Sequence, residues 1–458
     1  MKDRRKLGNM EEKSLVECLE TATISSFHYI LLAICSMGYA LTGMDVMLIG
    51  GLLRPIALDW GLDPVMAGLL ASAGYVGMFF GAIGCGFLAD RVGRKRALLF
   101  TIVVFSAFTG LCAGAWDVPS MAVLRFVAGI GLGGALPQPG VYISEYIPAK
   151  YRGRFLGFTE SAWVYGALLA MFFGWLNAIL KLGWRLTFLT ALIPLALVPL
   201  IIWFVPESIR YLESKGKREE AIGILKKYGL PTAVTSSARS SREASRDSGV
   251  PVSMGSALRE LWSPFYRSRT AVLWILWAVL VYTYHGIFVW LPTIYASPPM
   301  NLELVKALWF TLIVTACQVP GYYSATFLLD FLGRKPVLIG YLAFAGIGSY
   351  LLGFAGDVPH ILLWSCVISF FNLGAWAGLY TYTPELYPTR MRGTGSGFAA
   401  SLGRFAGIFA PTITPFLWAT AGLGSAFIVF AFAHGAAALA VAVLGTETKG
   451  RVLEEISK

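Results

Sequence analysis

Apolar residues in this chain come in long unbroken runs, parted by short polar segments. The stretch TISSFHYILLAICSMGYALTGMDVMLIGGLL, from Thr23 to Leu53, holds one acid and no lysine or arginine. Twelve such runs occur, at about 26–53, 65–88, 97–115, 119–143, 155–180, 186–205, 270–295, 304–329, 337–355, 359–383, 394–418 and 424–444. About 20 apolar residues span a bilayer core as helix. Lipid cannot hydrate a free backbone group, so helices are the expected structure. The pattern predicts an all-α membrane protein with twelve transmembrane helices. A long polar stretch, 206–269, divides it into an N-terminal half over 26–205 and a C-terminal half over 270–444, with tails at 1–25 and 445–458.

The linker opens with PESIRYLESKGKREEAIGILKKYG, which reads as amphipathic helix. SSARSSREASRDSGVP reads as flexible, Ser/Arg-rich chain, and SMGSALRELW as a short surface helix leading into the seventh span. The first residues, MKDRRKLGNMEEKSLVECLETA, mix acids and bases and lack the short apolar core and cleavage site of a signal peptide. They are expected to form a cytoplasmic tail.

Composition sharpens this picture. Residues are 56% hydrophobic and 14% charged, against about 25% charged in soluble domains. The net charge of +11 could point to nucleic acid, but its distribution excludes that. Loops and tails on one side hold 31 lysines and arginines, and those on the other hold 4. This positive-inside asymmetry places both termini in the cytoplasm of a multi-pass protein, expected in the plasma membrane. The six cysteines have no framework or metal-ligand spacing, and five fall inside predicted spans as small apolar residues. No triad, nucleotide loop or metal motif appears, so neither an enzyme nor a cofactor is expected.

A repeat runs through the chain. ADRVGRKR at Ala89–Arg96 returns as LDFLGRKP at Leu329–Pro336; Asp90 and Asp330 are 240 residues apart. The same offset relates Glu145 to Glu385 and Glu207 to Glu447. Three patterns with one offset indicate a duplicated six-helix unit, parallel in topology. Such halves pack about an axis along the membrane normal, with a substrate site near the midplane between them.

GFLADRVGRKRALL, RFVAGIGLGGALP, PESIRYL, PELYPTRMRGTG and TETKGRVLEE together resemble the signatures of the major facilitator superfamily. VECLETA, FHY and GMDVMLIGGLLRPIALDWGL resemble its metabolite:proton symporter branch, which includes nicotinate and aromatic-acid permeases and is related to organic anion/cation transporters and synaptic vesicle glycoprotein 2. The resemblance implies two pseudo-symmetric halves and transport by alternating access.

Few charges lie inside the spans. A charge deep in a bilayer costs about 3 kcal/mol on insertion scales, so each is a functional candidate. Arg404 shares a small, polar face of the eleventh span with Gly397, Ala400, Ser401, Ile408 and Pro411. It is expected to anchor a substrate carboxylate; the alternative is an internal pair with Glu160 or Asp45. The resemblance favours an anion, because related cation carriers can have an acid at this position. Asp45 in the first span is the expected coupling acid, or else a structural aspartate at a kink. Adding 240 to it gives His285, a cavity candidate or a satisfied core histidine. For Arg125 the resemblance implies proton coupling or a link between the first and fourth spans, and the alternative is snorkelling to the outer interface. Glu160 reads as a second proton site or, preferably, as part of the cytoplasmic latch.

That latch is implied by the resemblance: Asp90, Arg94, Glu145 and Arg152, with Asp330, Arg334, Glu385 and Arg392, would hold the two halves together at the cytoplasm in one state. Topological anchoring explains the same residues. Aromatic residues complete the candidate site: Tyr282 beside His285, and Asn372, Trp376 and Tyr380 at i, i+4 and i+8. An aromatic-walled cavity suits a flat organic ligand. The expected function is proton-coupled uptake of a small organic anion, an aromatic or other monocarboxylate of nicotinate or benzoate type, by a monomer whose partners are that anion, protons and lipid. The alternatives are a sugar or polyol transporter, a drug/proton antiporter, and a non-transporting membrane sensor or receptor.

Overall fold

The computed structural model describes residues 15–20, 22–231, 254–298, 300–387 and 389–449. Twelve long helices form the bundle: α1 (Ser26–Trp60), α2 (Pro64–Val92), α3 (Arg94–Gly114), α4 (Val118–Tyr146), α5 (Ala149–Leu180), α6 (Trp184–Phe204), α7 (Arg267–Phe288), α8 (Leu304–Leu332), α9 (Arg334–Gly353), α10 (Val358–Glu385), α11 (Thr389–Ala421) and α12 (Leu423–Leu444). Among the described residues eleven are long and apolar enough to cross a membrane. The twelfth, α11, is 33 residues long but interrupted by glycine, serine, threonine and arginine. Short helices at Ile209–Ser214, Arg218–Lys227 and Met254–Leu261 occupy the polar stretch between the halves. The Ser/Arg-rich segment lies outside the described residues.

Small residues let the helices approach. A Cβ at Gly81 of α2 would run into the carbonyl oxygen of Ile130 on α4. A Cβ at Gly321 of α8 would meet the carbonyl oxygen of Phe370 on α10. Both members of this contact recur 240 residues on, so the duplication is visible in the packing as well as the motifs. Tight helix contacts of this kind supply van der Waals attraction where lipid offers no hydrophobic driving force.

The repeated Gly-Arg-Lys knot opens α3 and α9. Gly93 and Gly333 precede these helices at φ 107° and 99°, in the region that favours glycine. Each helix start is then capped by an acid from the end of its own half. Glu207 Oε1 accepts from the backbone N–H of Lys95 at 3.0 Å, and Glu447 accepts from Arg334 and Lys335 N–H, both at 3.0 Å. A carboxylate here satisfies otherwise free N–H groups and meets the positive end of the helix dipole. Burial disfavours the charged form of Glu447, but backbone N–H donors from Lys449, Arg334, Lys335 and Thr448 outweigh it and hold the carboxyl below its usual range.

The residues expected to form a latch in one state make ion pairs at this basic end, within the N-terminal or the C-terminal side of the chain. Arg94 pairs with Asp90 at 2.6 Å and lies 3.9 Å from Glu145. Arg334 grips Glu385 with Nη2 at 2.8 Å and Nε at 3.0 Å, with Asp330 in electrostatic reach. Arg152 pairs with Glu20 of the Leu15–Glu20 helix at 2.7 Å. The Arg94 and Arg334 contacts each lie within one half, because the ends of α2 and α4 converge on the start of α3, and those of α8 and α10 on α9; Arg152 instead ties the N-terminal segment to α5. Among the described residues no ion pair joins the halves at this end. The side chain of Arg392 lies outside the described residues.

The halves meet at mid-depth and toward the opposite end. Ser72 of α2 donates to Ile408 O of α11 at 2.7 Å and lies 2.9 Å from Thr412 Oγ1. Arg54, near the end of α1, donates to Ser297 at 3.1 Å. Trp175 of α5 stacks near Trp309 of α8, with ring centroids 5.2 Å apart.

One buried pair ties the N-terminal half together. Arg125 of α4 reaches Asp45 of α1 at 3.4 Å, and Thr109 of α3 donates to the same oxygen at 2.9 Å. The two side chains are 3% and 0% exposed, so Arg125 does not snorkel outward. Removing one member of such a pair strands the other charge, at about 3–5 kcal/mol. Asp45→Asn and Arg125→Gln are each expected to lower the melting temperature in detergent sharply. The double variant should lose much less than the sum of the two, measured by thermal unfolding of all four proteins.

Candidate functional site

A cavity of about 280 Å³ lies between the halves at mid-depth and extends toward the basic end. Leu136, Pro137 and Gly140 from the last turns of α4, Leu156 from the start of α5 and Ala400 from the start of α11 line that extension. The contacts of Ser72 and Arg54 join the halves between this cavity and the opposite end.

The walls are aromatic. From the N-terminal half come Tyr39, Tyr75 and Trp163, and from the C-terminal half Trp277, Tyr284, Trp376 and Tyr380. Trp277 stands edge-on to both Trp376 and Tyr380, at 5.7 and 5.6 Å between centroids. Hydrogen bonds cross between the halves here, among them Tyr322 OH donating to Gly157 O at 3.3 Å. Tyr39 and Tyr380 hydroxyls are 3.1 Å apart, and Trp163 Nε1 donates to Tyr284 OH at 2.9 Å, which in turn donates to Gln318 Oε1 at 3.3 Å. The result is a slot whose sides are π faces and edges, with few polar atoms, suited to a planar ligand.

Two charges face into it. Arg404 projects from α11 and Glu160 from α5. Neither has a hydrogen bond or ion pair among the described residues. The internal pairing of Arg404 with Glu160 or Asp45 is therefore not made: Asp45 is taken by Arg125. Glu160 belongs to the cavity wall and makes no latch contact. Tyr39 and Tyr380 lie within electrostatic reach of both charges. A guanidinium without a protein acceptor among the described residues, beside aromatic walls, is chemically able to take an anionic group such as a carboxylate in a bidentate grip.

The other expected site residues divide. His285, Trp376 and Tyr380 line the cavity. His285 donates its Nδ1 proton to Val281 O at 2.9 Å, and Tyr75 packs edge-on to it at 4.7 Å. Its Nε2 and the Trp376 Nε1–H find no protein partner. Tyr282 turns away from the cavity onto Phe430 of α12, with centroids 5.5 Å apart; Tyr284, two residues on, takes the place expected for it. Asn372 also lies outside the cavity wall. Its amide nitrogen is 3.0 Å from both Thr283 Oγ1 and His434 Nε2, inside the C-terminal half. A buried amide satisfies itself where acceptors are, and these two lie behind the helix. Asp45 and Arg125 are sealed from the cavity. Tyr39, Tyr75 and Trp277 were not anticipated, although Trp277, Val281, Tyr284 and His285 follow the i, i+4, i+7, i+8 spacing of one helix face.

Comparison with known proteins fits this architecture. The family model described as "Sugar (and other) transporter" matches residues 14–458. The niacin transporter NiaP of Acinetobacter baylyi is 37% identical over 96% of this chain and 99% of its own length. The 4-hydroxybenzoate transporter PcaK of the same organism is 29% identical over 85% of each chain. Among solved structures, the partially occluded inward-open xylose transporter XylE of E. coli superposes with a TM-score of 0.74 at 22% identity, covering 93% of this chain and 100% of that one. Duplicated halves, a cavity between them and a family match over nearly the whole length lead to one conclusion: the chain belongs to the sugar (and other) transporter family and is a membrane transporter of the major facilitator superfamily.

Proposed function

We propose that this transporter carries a small aromatic monocarboxylate of the nicotinate or benzoate kind across the cell membrane together with protons. The observation that carries this reading is Arg404, a cation in an aromatic cavity with no protein counter-ion among the described residues. The carboxylate docks on the guanidinium while the ring lies among Trp163, Tyr284 and Trp376. The names of two relatives, niacin and 4-hydroxybenzoate transporters, support a planar carboxylate. A sugar reading draws support from the family description, but sugar recognition wants amide groups, and neither Asn nor Gln lines the cavity.

The basic end is assigned to the cytoplasm by the 31-to-4 distribution of lysine and arginine. With that orientation, the contacts of Ser72 and Arg54 lie toward the outer side and support reading this state as inward-facing. Reorientation breaks the Arg54–Ser297 and Ser72–Ile408 contacts and brings the basic ends of the halves together.

Two experiments test this. In proteoliposomes, Arg404→Gln is expected to weaken nicotinate binding by about 10- to 100-fold, the worth of a charge-assisted hydrogen bond. It should leave nicotinamide, which lacks the carboxylate, unaffected. Equal nicotinate affinity in both proteins would remove the anchor, and uptake indifferent to an imposed pH gradient would remove the symport. Separately, bridging Arg54→Cys to Ser297→Cys with a bifunctional thiol reagent long enough to replace the guanidinium side chain is expected to stop net transport, and reducing agent that releases the reagent to restore it.

A further inference from the structure

We infer that Glu160 is the group that takes up the coupled proton, and that it does so because binding of the substrate's carboxylate leaves the cavity with one more negative charge than Arg404 can balance. This rests on the proposed carriage of an aromatic carboxylate and adds the coupling residue to it.

The argument is a count of charges. Asp45 and Arg125 form a sealed pair and cancel. Arg404 and Glu160 are the charges on the cavity wall, one from each half. With both ionised, the empty cavity sums to zero. A substrate carboxylate makes the sum −1, and closure of the basic end would then trap that charge in a medium of low dielectric. An unbalanced charge buried in that way is costly. One proton from the aqueous side, added to the Glu160 carboxylate to give the neutral acid, restores zero; no other bond forms or breaks. The loaded carrier then moves as an electroneutral unit, one proton per carboxylate.

The position of Glu160 fits the task. It lies at a wall that water reaches, so a proton can arrive and leave. Facing it are Tyr39 of α1, Tyr322 of α8 and Tyr380 of α10, with Arg404 of α11, His285 of α7 and Tyr75 of α2 elsewhere on the wall. Neutral phenols stabilise a carboxylate less than a cation would, so no fixed counter-charge competes with protonation. The two rival acceptors are worse placed. Asp45 is already ion-paired and wholly enclosed. His285 already uses Nδ1–H on Val281 O, and a proton on its buried Nε2 would find no acceptor.

The test counts protons. Purified full-length protein in weakly buffered detergent, with a pH-indicating dye, is titrated with nicotinate. The wild type is expected to take up about one proton per nicotinate bound at alkaline pH, and its affinity to fall about tenfold per pH unit there. Monodisperse Glu160→Gln should bind nicotinate with no proton uptake and a flat pH profile. In proteoliposomes it should exchange nicotinate at equal pH yet fail to accumulate it uphill. His285→Asn should still take up the proton, and so should monodisperse Asp45→Asn and the better-folded double variant Asp45→Asn with Arg125→Gln. Undiminished proton uptake by Glu160→Gln, loss of uptake with nicotinate binding retained in monodisperse Asp45→Asn, or loss of nicotinate binding in monodisperse Glu160→Gln would each overturn the assignment. Wild-type protein that binds nicotinate without any proton overturns this inference and the symport alike but leaves carboxylate carriage standing. Wild-type protein that binds neither nicotinate nor benzoate overturns the carriage reading beneath it.

Discussion

A charge inside a membrane must be cancelled, wetted or absent, because hydrocarbon offers it nothing. This chain meets that constraint in all three ways. Most of its lysines, arginines and acids sit at helix ends or in loops. Asp45 and Arg125 are cancelled against each other inside the N-terminal half. Arg404 and Glu160 are wetted by a cavity that must exist for them to be tolerated. The same constraint explains why α11 is the least apolar bundle helix: its face toward the cavity is solvated, and its glycines and prolines pack against α2 and α7.

The distribution of strong and weak contacts sets how the molecule can move. Within each half, ion pairs and carboxylate caps fix the basic ends of several helices to one another, as at Arg94–Asp90 and Arg334–Glu385. Between the halves the bonds are of another kind: single hydroxyl, indole and guanidinium contacts such as Tyr39–Tyr380, Trp163–Tyr284 and Arg54–Ser297. Contacts of that sort are individually modest and are readily exchanged for water. Each half is therefore stiff and the seam between them is soft, as rigid-body alternation about a central site requires.

Much of this was legible from residue order alone. Twelve apolar runs announce twelve helices, and a recurring acid, glycine and base announce the duplication. The few intramembrane charges could be named one by one. Their partners could not, because choosing between Arg125 and Arg404 for Asp45 depends on how α1, α4 and α11 are disposed in space. The phase of α7 was equally hidden. A helix apolar on every side carries no polar face to show which way it turns, so Tyr282 read as well as Tyr284 did. Asn372 misled for a related reason: an amide in a span can serve a ligand or its own neighbours, and only the positions of Thr283 and His434 decide.

The cap that Glu207 places on α3 reaches across 112 residues of chain, and Glu447 repeats the reach to α9 over 113. During synthesis, α3 enters the membrane long before the acid that finishes its first turn has been made. Each half is complete only when the last residues of its own unit emerge and fold back. A nascent chain stopped just after its sixth or twelfth span would already contain every membrane helix of that half, yet would lack the residue that closes it.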